Sequence, residues 1–394
     1  MSPRRRYYDC RGGLRTPPLF KMLCCAIALS GASFVSVTAS DDPVSAVALR
    51  EQQLVFRAAM SRIAPAIVRI DTIGGALPVV QRGDSDSGHA APGFRQADGP
   101  TTGVVWSSDG LIVTSSFNFV REPSVIMVTT ADDRRHVARL VARDYVARLA
   151  VLRIDARDLP APRWLPLDQV RVGQWALAAG FGHGSAQPAM SVGIISAVGR
   201  VNALAVQTDA RISPANYGGP LFDIEGRSVG VCVPLAATED QSAGVEWYDS
   251  GIGFAIPFDV LRERIERLAR GEDLRRGYLG VALETTEPVV GEAPADSQPA
   301  QPAAGVRIVD DPVGPAAAAG LQKGDVITAI HGVATPSLVA LRRQLARHAA
   351  GDAVEVSYVR DGEAANAAIV LASSEDLVEP QEDEPQAPDT QPAP

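Results

Sequence analysis

The sequence predicts a mostly β protein in which short strands form a pair of barrels, followed by a smaller domain of mixed α and β structure. Short apolar runs recur at fairly even spacing between residues 66 and 256, a pattern typical of barrels rather than of a parallel sheet. Asp109 and Gly110 separate two of these runs as a hairpin turn would. Helical spacing of apolar residues is found at 40–64, 260–269 and 338–348.

Composition narrows the classes of function. The 394 residues suffice for two or three domains. A net charge of -9 and an aromatic content of 5% argue against a nucleic-acid partner, because phosphates require a basic face and bases require stacking side chains. The cysteines and histidines do not cluster at the spacing of metal ligands. We therefore expect neither a metal nor a cofactor.

The N-terminus predicts export. Residues 1–39 combine a basic leader, a short apolar run at 23–37 and small residues before Ser40, as in a cleavable signal peptide. An uncleaved anchor helix is the alternative. Three of the four cysteines fall in this leader, so the exported chain keeps only Cys232, for which we expect a buried and inert position. The expected location is the periplasm or the cell envelope.

Five further segments complete the expected organisation. A helical segment at 40–64 precedes the barrel domain at 65–272, and the second domain covers 276–372. A Pro-, Ala- and Gln-rich stretch at 288–304 interrupts this second domain as a flexible insertion. Residues 373–394 are acidic and rich in proline, which predicts a disordered tail.

Three motifs carry a resemblance to a known family. Residues 208–222 read TDARISPANYGGPLF and closely resemble the nucleophile loop of HtrA (DegP-like) serine proteases, TDAxINPGNSGGPL. GIGFAIP at 251–257 is similar to the last barrel strand of that family, and AGLQKGDVI at 319–327 is similar to a turn of its PDZ domain. The resemblance covers roughly residues 60 to 372. It implies a trypsin-like double β-barrel followed by an α+β PDZ domain.

The resemblance also locates a degenerate catalytic triad. Tyr217 stands in place of the family's serine, Phe117 in place of its histidine, and Arg148 in place of its aspartate. A triad needs a nucleophile, a base and an anion that orients the base, so we expect no proteolysis. Two interpretations remain open: a site converted from cutting to holding, with Arg148 stacked on one ring, or decay of an unused site. Family membership alone implies the alternative, a serine endopeptidase.

Other residues that could replace the triad as nucleophile or base have weak support in the sequence. Ser213 has no evident histidine partner, and a base at His183 with a nucleophile at Ser185 competes with the simpler interpretation of a solvated loop histidine. Glycines beside the nucleophile position let backbone amides turn inward. A passive oxyanion-like nest for a carbonyl or carboxylate is therefore expected from three loop residues: Ala215, Asn216 and Tyr217.

The PDZ-like groove is the expected binding site. Amides of its loop would hold a peptide C-terminal carboxylate while the adjacent strand edge pairs with the peptide. The residues expected to contact the peptide are Tyr278, Leu279, Gly280, Val281, Leu338, Leu341 and Leu345. Expected partners are C-termini of peptides or unfolded proteins and an active HtrA relative. The resemblance further implies a homotrimer. A PDZ domain used only for internal packing, or a purely structural envelope protein, are the alternatives.

Overall fold

The computed structural model describes residues 43–74, 101–119, 122–182, 185–235, 251–285 and 305–373. The expected signal peptide at 1–39, His183, the insertion at 288–304 and the tail beyond residue 373 lie outside these ranges. Helix α1 spans Pro43–Ile63. None of the helices within the described ranges is both long enough and apolar enough to cross a membrane.

Six antiparallel strands close the first barrel in the order β1-β2-β3-β6-β5-β4. A core of aliphatic side chains and Phe119 fills it, which explains why the strands read as nearly continuous apolar runs. The strands are β1 (Ile67–Ile73), β2 (Thr101–Ser107), β3 (Leu111–Ser115), β4 (Val125–Thr129), β5 (Arg135–Asp144) and β6 (Leu149–Ile154).

The second barrel closes in the order β10-β11-β12-β9-β8-β7. Helix α2 (Arg200–Ala203) connects the strand that ends at Gly199 to the strand that begins at Ala205. Its backbone is left-handed at Val201, Asn202 and Ala203. The strands are β7 (Trp175–Gly180), β8 (Ala189–Gly199), β9 (Ala205–Thr208), β10 (Pro220–Phe222), β11 (Ser228–Val233) and β12 (Gly253–Pro257). The predicted pair of barrels is therefore confirmed.

The C-terminal part forms an α+β unit. Its main sheet has the order β14-β15-β16-β18-β19, with β17 on β16, and β13 pairs with β20. Alternating burial along β18 places one face of the sheet on the core. The elements are β13 (Gly277–Tyr278), β14 (Leu283–Thr285), β15 (Val306–Ile308), β16 (Val326–Ile330), β17 (Val333–Ala334), β18 (Ala353–Arg360), β19 (Glu363–Val370) and β20 (Ala372–Ser373).

Three helices complete the fold: α3 (Phe258–Ala269), α4 (Gly314–Ala318) and α5 (Leu338–Leu345). Helix α3 joins the barrels to the C-terminal unit. Leu261, Ile265 and Leu268 bury its apolar face in a cluster that also contains Ala349 of the C-terminal unit. Because this cluster takes side chains from both parts, the C-terminal unit packs directly against the barrels.

An ion pair between the buried carboxylate of Asp325 and the partly exposed Arg360 stabilises the C-terminal sheet and makes its stability depend on pH. Both Asp325 oxygens accept hydrogen bonds from Arg360 at 2.8 Å, and one also accepts from the Gln322 amide at 2.8 Å. Burial raises the pKa of Asp325, but these hydrogen bonds outweigh burial and hold the pKa below its ordinary value.

We therefore expect Asp325→Asn to lower the unfolding temperature at neutral pH. A carboxyl whose pKa is lowered by folding contributes stability above its unfolded pKa of about 4 and loses that contribution as the pH falls further. The difference from the unmodified chain should shrink as the pH falls below that value. Calorimetry across the acid range measures it, with Glu363→Gln at an exposed position of β19 as the control. A difference that grows towards low pH would contradict the prediction.

Candidate functional site

The loop that resembles the nucleophile loop lies between the two barrels, and two glycines hold it there. Gly218 has φ +87°, and a Cβ there would lie 2.2 Å from Thr114 Oγ1 of the first barrel. A Cβ on Gly219 would lie 2.2 Å from the Ala179 carbonyl oxygen of the second barrel. The Gly218 amide also donates to the Cys232 carbonyl at 2.8 Å. Only glycines fit such close approaches, so these two residues hold the loop against both barrels.

Two aromatic rings meet at the positions that the sequence motifs predict for the nucleophile and the base. Phe117 lies on the 3-10 helix Ser116–Phe119, directly after β3. Its ring contacts Tyr217 edge to face, with centroids 5.4 Å apart and an interplanar angle of 79°. Tyr217 is only 5% exposed, and the Asn118 side-chain amide donates to its carbonyl at 3.3 Å. The two rings therefore pack against each other where the nucleophile loop meets the end of β3.

Arg148 joins this site through its backbone only. Its carbonyl accepts hydrogen bonds from the Ser116 amide at 2.9 Å and the Ser115 hydroxyl at 3.1 Å. Its φ is +58°, and its side chain is exposed. The cation–π contacts of the described residues come from other arginines. The expected stacking of Arg148 on Phe117 or Tyr217 is therefore wrong, because the left-handed turn leaves the guanidinium in solvent.

The expected oxyanion-like nest is not open as predicted. The Asn216 amide donates to the Ser213 carbonyl at 2.8 Å, and the Tyr217 amide donates to the Pro214 carbonyl at 3.3 Å. Of the three amides in the expected nest, those of Asn216 and Tyr217 are therefore hydrogen-bonded within their own turn. The loop would have to rearrange before it could hold a carbonyl or carboxylate oxygen.

The candidate substitute nucleophiles have other partners. The Ser213 hydroxyl donates to Asn216 Oδ1 at 3.1 Å, and the Ser185 hydroxyl donates to the Gln187 carbonyl. His136 is the only histidine among the described barrel residues. It lies eight residues before Asp144 on β5, about 25 Å along the strand. The described barrels thus bring no imidazole to a hydroxyl in the cleft.

The described residues offer neither a reactive cysteine nor a metal site as an alternative source of catalysis. Cys232 is a free, fully buried cysteine on β11, as predicted. Burial raises the pKa of its thiol, so the thiol stays protonated and weakly nucleophilic. Within the ranges that the structure describes, no three His, Cys, Asp or Glu side chains are grouped so that they could hold a metal ion.

A groove in the C-terminal unit has the geometry of a peptide site. Strand β14 is an edge strand of its sheet. A cavity of about 360 Å³ lies between the segment 276–283 and helix α5. Leu338, Arg342 and Leu345 line it from the helix, and Val146 and Asn202 of the barrels also line it. An edge strand beside a helix-lined groove is the arrangement that accepts an added peptide strand.

The loop before β14 offers amides to a carboxylate. Gly280 has φ +86°, and a Cβ there would lie 1.9 Å from the Val313 carbonyl oxygen, so only glycine fits. The Gly280 carbonyl accepts from Val313 at 2.8 Å, and the Leu279 carbonyl accepts from Ala316 at 2.9 Å. The amides of Leu279, Gly280 and Val281 donate to no other described residue. The structure thus fixes the carbonyls and leaves three successive donors for an anion.

The residues expected in the groove divide into two groups. Six of them line the cavity: Tyr278, Leu279, Gly280, Val281, Leu338 and Leu345. Leu341 does not, because it is fully buried in the sheet core. Positions i, i+4 and i+7 of α5 face the groove, which places Arg342 there instead. Counting from Leu338 along the helix would have found Arg342.

His348 also lines the groove and was not expected there. Its ring lies 5.1 Å from that of His331, centroid to centroid. Burial lowers the pKa of His348, and the nearby His331 lowers it further, while Asp352 offsets only part of this. The imidazole is therefore neutral at neutral pH, so the groove's positive charge comes from arginines.

Comparison with known proteins identifies the two parts. Residues 101–231 match the trypsin-like peptidase domain family, and residues 277–371 match the PDZ domain family. A probable periplasmic serine endoprotease DegP-like from Halomonas elongata is 36% identical over 276 residues, covering 68% of this chain and 56% of the relative. A relative of the same name from Chlamydia muridarum is 36% identical over 66% of this chain and 51% of its own length. The chain thus spans about half the length of these curated relatives.

Solved structures agree. A variant of the HtrA-type protease AlgW with a decapeptide superposes with a TM-score of 0.60 and 30% identity, over 81% of this chain and 97% of that chain. The serine endoprotease from Yersinia pestis superposes with a TM-score of 0.56 and 26% identity, over 81% and 97%. The predicted fold class, a trypsin-like double β-barrel followed by a PDZ domain, is confirmed. The chain belongs to the HtrA (DegP-like) family of serine proteases.

Proposed function

We propose that this member of the HtrA family is proteolytically inactive and binds peptide C-termini through its PDZ groove. The contact between the Phe117 and Tyr217 rings carries the first half of the proposal. A phenol held 5% exposed against a second ring is not a usual acyl-transfer nucleophile, and the phenyl ring of Phe117 cannot itself accept a proton. The exposed Arg148 side chain also cannot orient a base.

The bonded state of the loop amides supports the same conclusion. Acyl transfer requires donors already aimed at the developing oxyanion. Here the amides of Asn216 and Tyr217 donate within their own turn. Even a hydroxyl introduced at this loop would therefore lack the preorganised donors on which much of the rate enhancement depends.

The geometry of the PDZ groove supports peptide binding. An edge strand, three loop amides that donate to no described residue and a helix-lined cavity of about 360 Å³ meet at one place. The AlgW structures similar to this chain were solved with a decapeptide and with a tripeptide. Peptide ligands, including the C-termini of unfolded proteins, fit this site because main-chain pairing and carboxylate capture need no particular sequence.

A serine endopeptidase is the second candidate, because the curated relatives carry that name. Incubation with unfolded casein and a fluorophosphonate probe separates the two. We expect neither cleavage nor labelling of the purified chain, while a trypsin control shows both. A probe adduct mapped by mass spectrometry to a hydroxyl in the barrel cleft would establish the endopeptidase instead.

Peptide binding has its own test. Fluorescence polarisation with one labelled decapeptide, prepared as the free acid and as the C-terminal amide, measures the contribution of the carboxylate. We expect the amide to bind about tenfold or more weakly, because a charge-assisted set of hydrogen bonds is lost. Equal binding of the two forms would contradict carboxylate capture and favour a PDZ domain used for packing.

Location and assembly belong to the same proposal. The basic leader with its apolar run supports export to the periplasm or envelope, and the curated relatives are named periplasmic. The trimer and the active HtrA partner stay predictions from the family resemblance. Sedimentation analysis of the purified chain, alone and mixed with an active relative, measures both.

A further inference from the structure

We infer that the PDZ groove selects peptides with an aspartate or glutamate two residues before the C-terminal residue, and that Arg342 reads this side chain. The inference rests on the proposed peptide binding and adds the chemical class of the ligand. It depends on the charges in the groove, on the direction in which a peptide would run, and on the surroundings of Arg342.

The charged side chains that line the groove are all basic. Arg276 and Arg342 contribute guanidinium groups to its wall beside the neutral imidazole of His348, and no carboxylate does so among the described lining residues. Glu284 lies on β14, but it follows Leu283, which lines the groove, so its side chain points to the opposite face. A groove whose described lining includes the Arg342 guanidinium and no carboxylate favours an anionic ligand beyond the terminal carboxylate.

The direction of the peptide follows from the position of helix α5. Arg276 bridges to Ala349, just beyond the C-terminal end of α5. That end therefore lies beside the carboxylate loop, and Leu338 lies at the far end of the groove. A peptide bound by its carboxylate extends from the loop along β14 towards the N-terminal end of the helix.

Distances along strand and helix then place Arg342. Arg342 is three residues before Leu345, about 4.5 Å along the helix axis. Alternate residues of the added strand share one face and lie about 6.6 Å apart. The last side chain and the one two residues before it therefore both point towards α5, and the earlier one lies within reach of Arg342. The side chain between them faces away.

The Arg342 guanidinium has no described partner, so it is available to form an ion pair with a ligand. Its guanidinium is exposed, and no ion pair or hydrogen bond joins it to another described residue. Its neighbours three and four positions away on the helix are two leucines, a valine and an alanine, so none neutralises it. Arg343, the next residue, lines a different cavity that also contains Asp259 and Glu263. Arg343 is therefore a matched control that shares the helix but not the groove.

The experiment compares three labelled decapeptides with a C-terminal valine and glutamate, glutamine or lysine two residues before it. Fluorescence polarisation with the full chain should show glutamate binding about fivefold more tightly than glutamine, the size expected for a partly exposed ion pair. Arg342→Gln should abolish this preference, and Arg342→Glu should transfer it to lysine. Arg343→Gln should leave the preference unchanged. The preference should also shrink at high salt.

The outcomes separate the two proposals. If all three peptides bind as free acids with equal affinity, carboxylate capture stands and the acidic specificity is wrong. If Arg343→Gln removes the preference as fully as Arg342→Gln, the effect is one of general charge, and the assignment to Arg342 is wrong. If no peptide binds, the proposed function itself fails. Circular dichroism of each variant shows that a lost preference does not reflect unfolding.

Discussion

Replacing Arg264 by leucine is expected to lower the free energy of unfolding by about 3–5 kcal/mol. Arg264 lies on helix α3, and its guanidinium donates to Asp144 Oδ2 at 2.6 Å. The Asp144 side chain is completely buried and Arg264 is 9% exposed. Leucine would leave a buried carboxylate with two amide donors, those of Val146 and Ala147, and no counter-ion. Urea denaturation followed by circular dichroism measures the loss.

The same substitution should loosen the contact between barrels and PDZ domain. The second terminal nitrogen of Arg264 donates to the carbonyl of Ala346, which follows helix α5, at 2.8 Å. Arg267→Leu is the matched control on the same helix. Arg267 also donates across the contact, to Asp352 at 2.9 Å, but both side chains are about a quarter exposed. We expect that variant to lose only about 1 kcal/mol.

Two results would show that the Asp144–Arg264 pair lacks the assigned role. One is an equal loss for Arg264→Leu and Arg267→Leu. The other is a double variant, Asp144→Asn with Arg264→Leu, that is no more stable than Arg264→Leu alone. Removing both charges should recover part of the loss, because the unpaired buried charge is the costly state.

The strands could be predicted because each short run of apolar residues carries its own local signal. Asp109 and Gly110 predict the turn between β2 and β3 from two residues alone. The pair of Asp144 and Arg264 could not be predicted in this way. The two residues are far apart in sequence and belong to different elements, and a carboxylate at the end of a strand is usually solvated.

The candidate site shows the same division. Sequence motifs pointed to Phe117, Arg148 and Tyr217 as candidate triad positions, because the residues around them match a glycine-rich loop and two strand ends of the family. They could not show that Arg148 takes φ +58° and turns its side chain into solvent. On α5, three leucines suggested a single apolar face, yet the sheet core takes Leu341 and the groove takes Arg342. Which side of a short helix faces a groove depends on what covers its other side.

Replacing Tyr217 by alanine is expected to lower the free energy of unfolding by about 3–5 kcal/mol, the range for large buried aromatic side chains. The ring is 5% exposed and packs edge to face on Phe117 between the barrels. Phe117→Ala should cost less, because Phe117 is only half-buried. Combining the two in a double-mutant cycle should give a coupling of about 0.5–1.5 kcal/mol for the ring contact. Additive effects would mean that the rings do not stabilise each other.

Tyr217→Ser tests whether the nucleophile is the only missing part of the site. We expect this variant to remain unlabelled by a fluorophosphonate probe, because Phe117 cannot accept a proton and the amides of Asn216 and residue 217 are bonded within the turn. Its affinity for a free-acid decapeptide should be unchanged, since the groove is lined by other residues. Labelling of the serine variant would mean that the cleft keeps a working base and oxyanion donors. A parallel loss of peptide affinity would mean that ligands also occupy the barrel cleft, so that the aromatic pair belongs to the binding site.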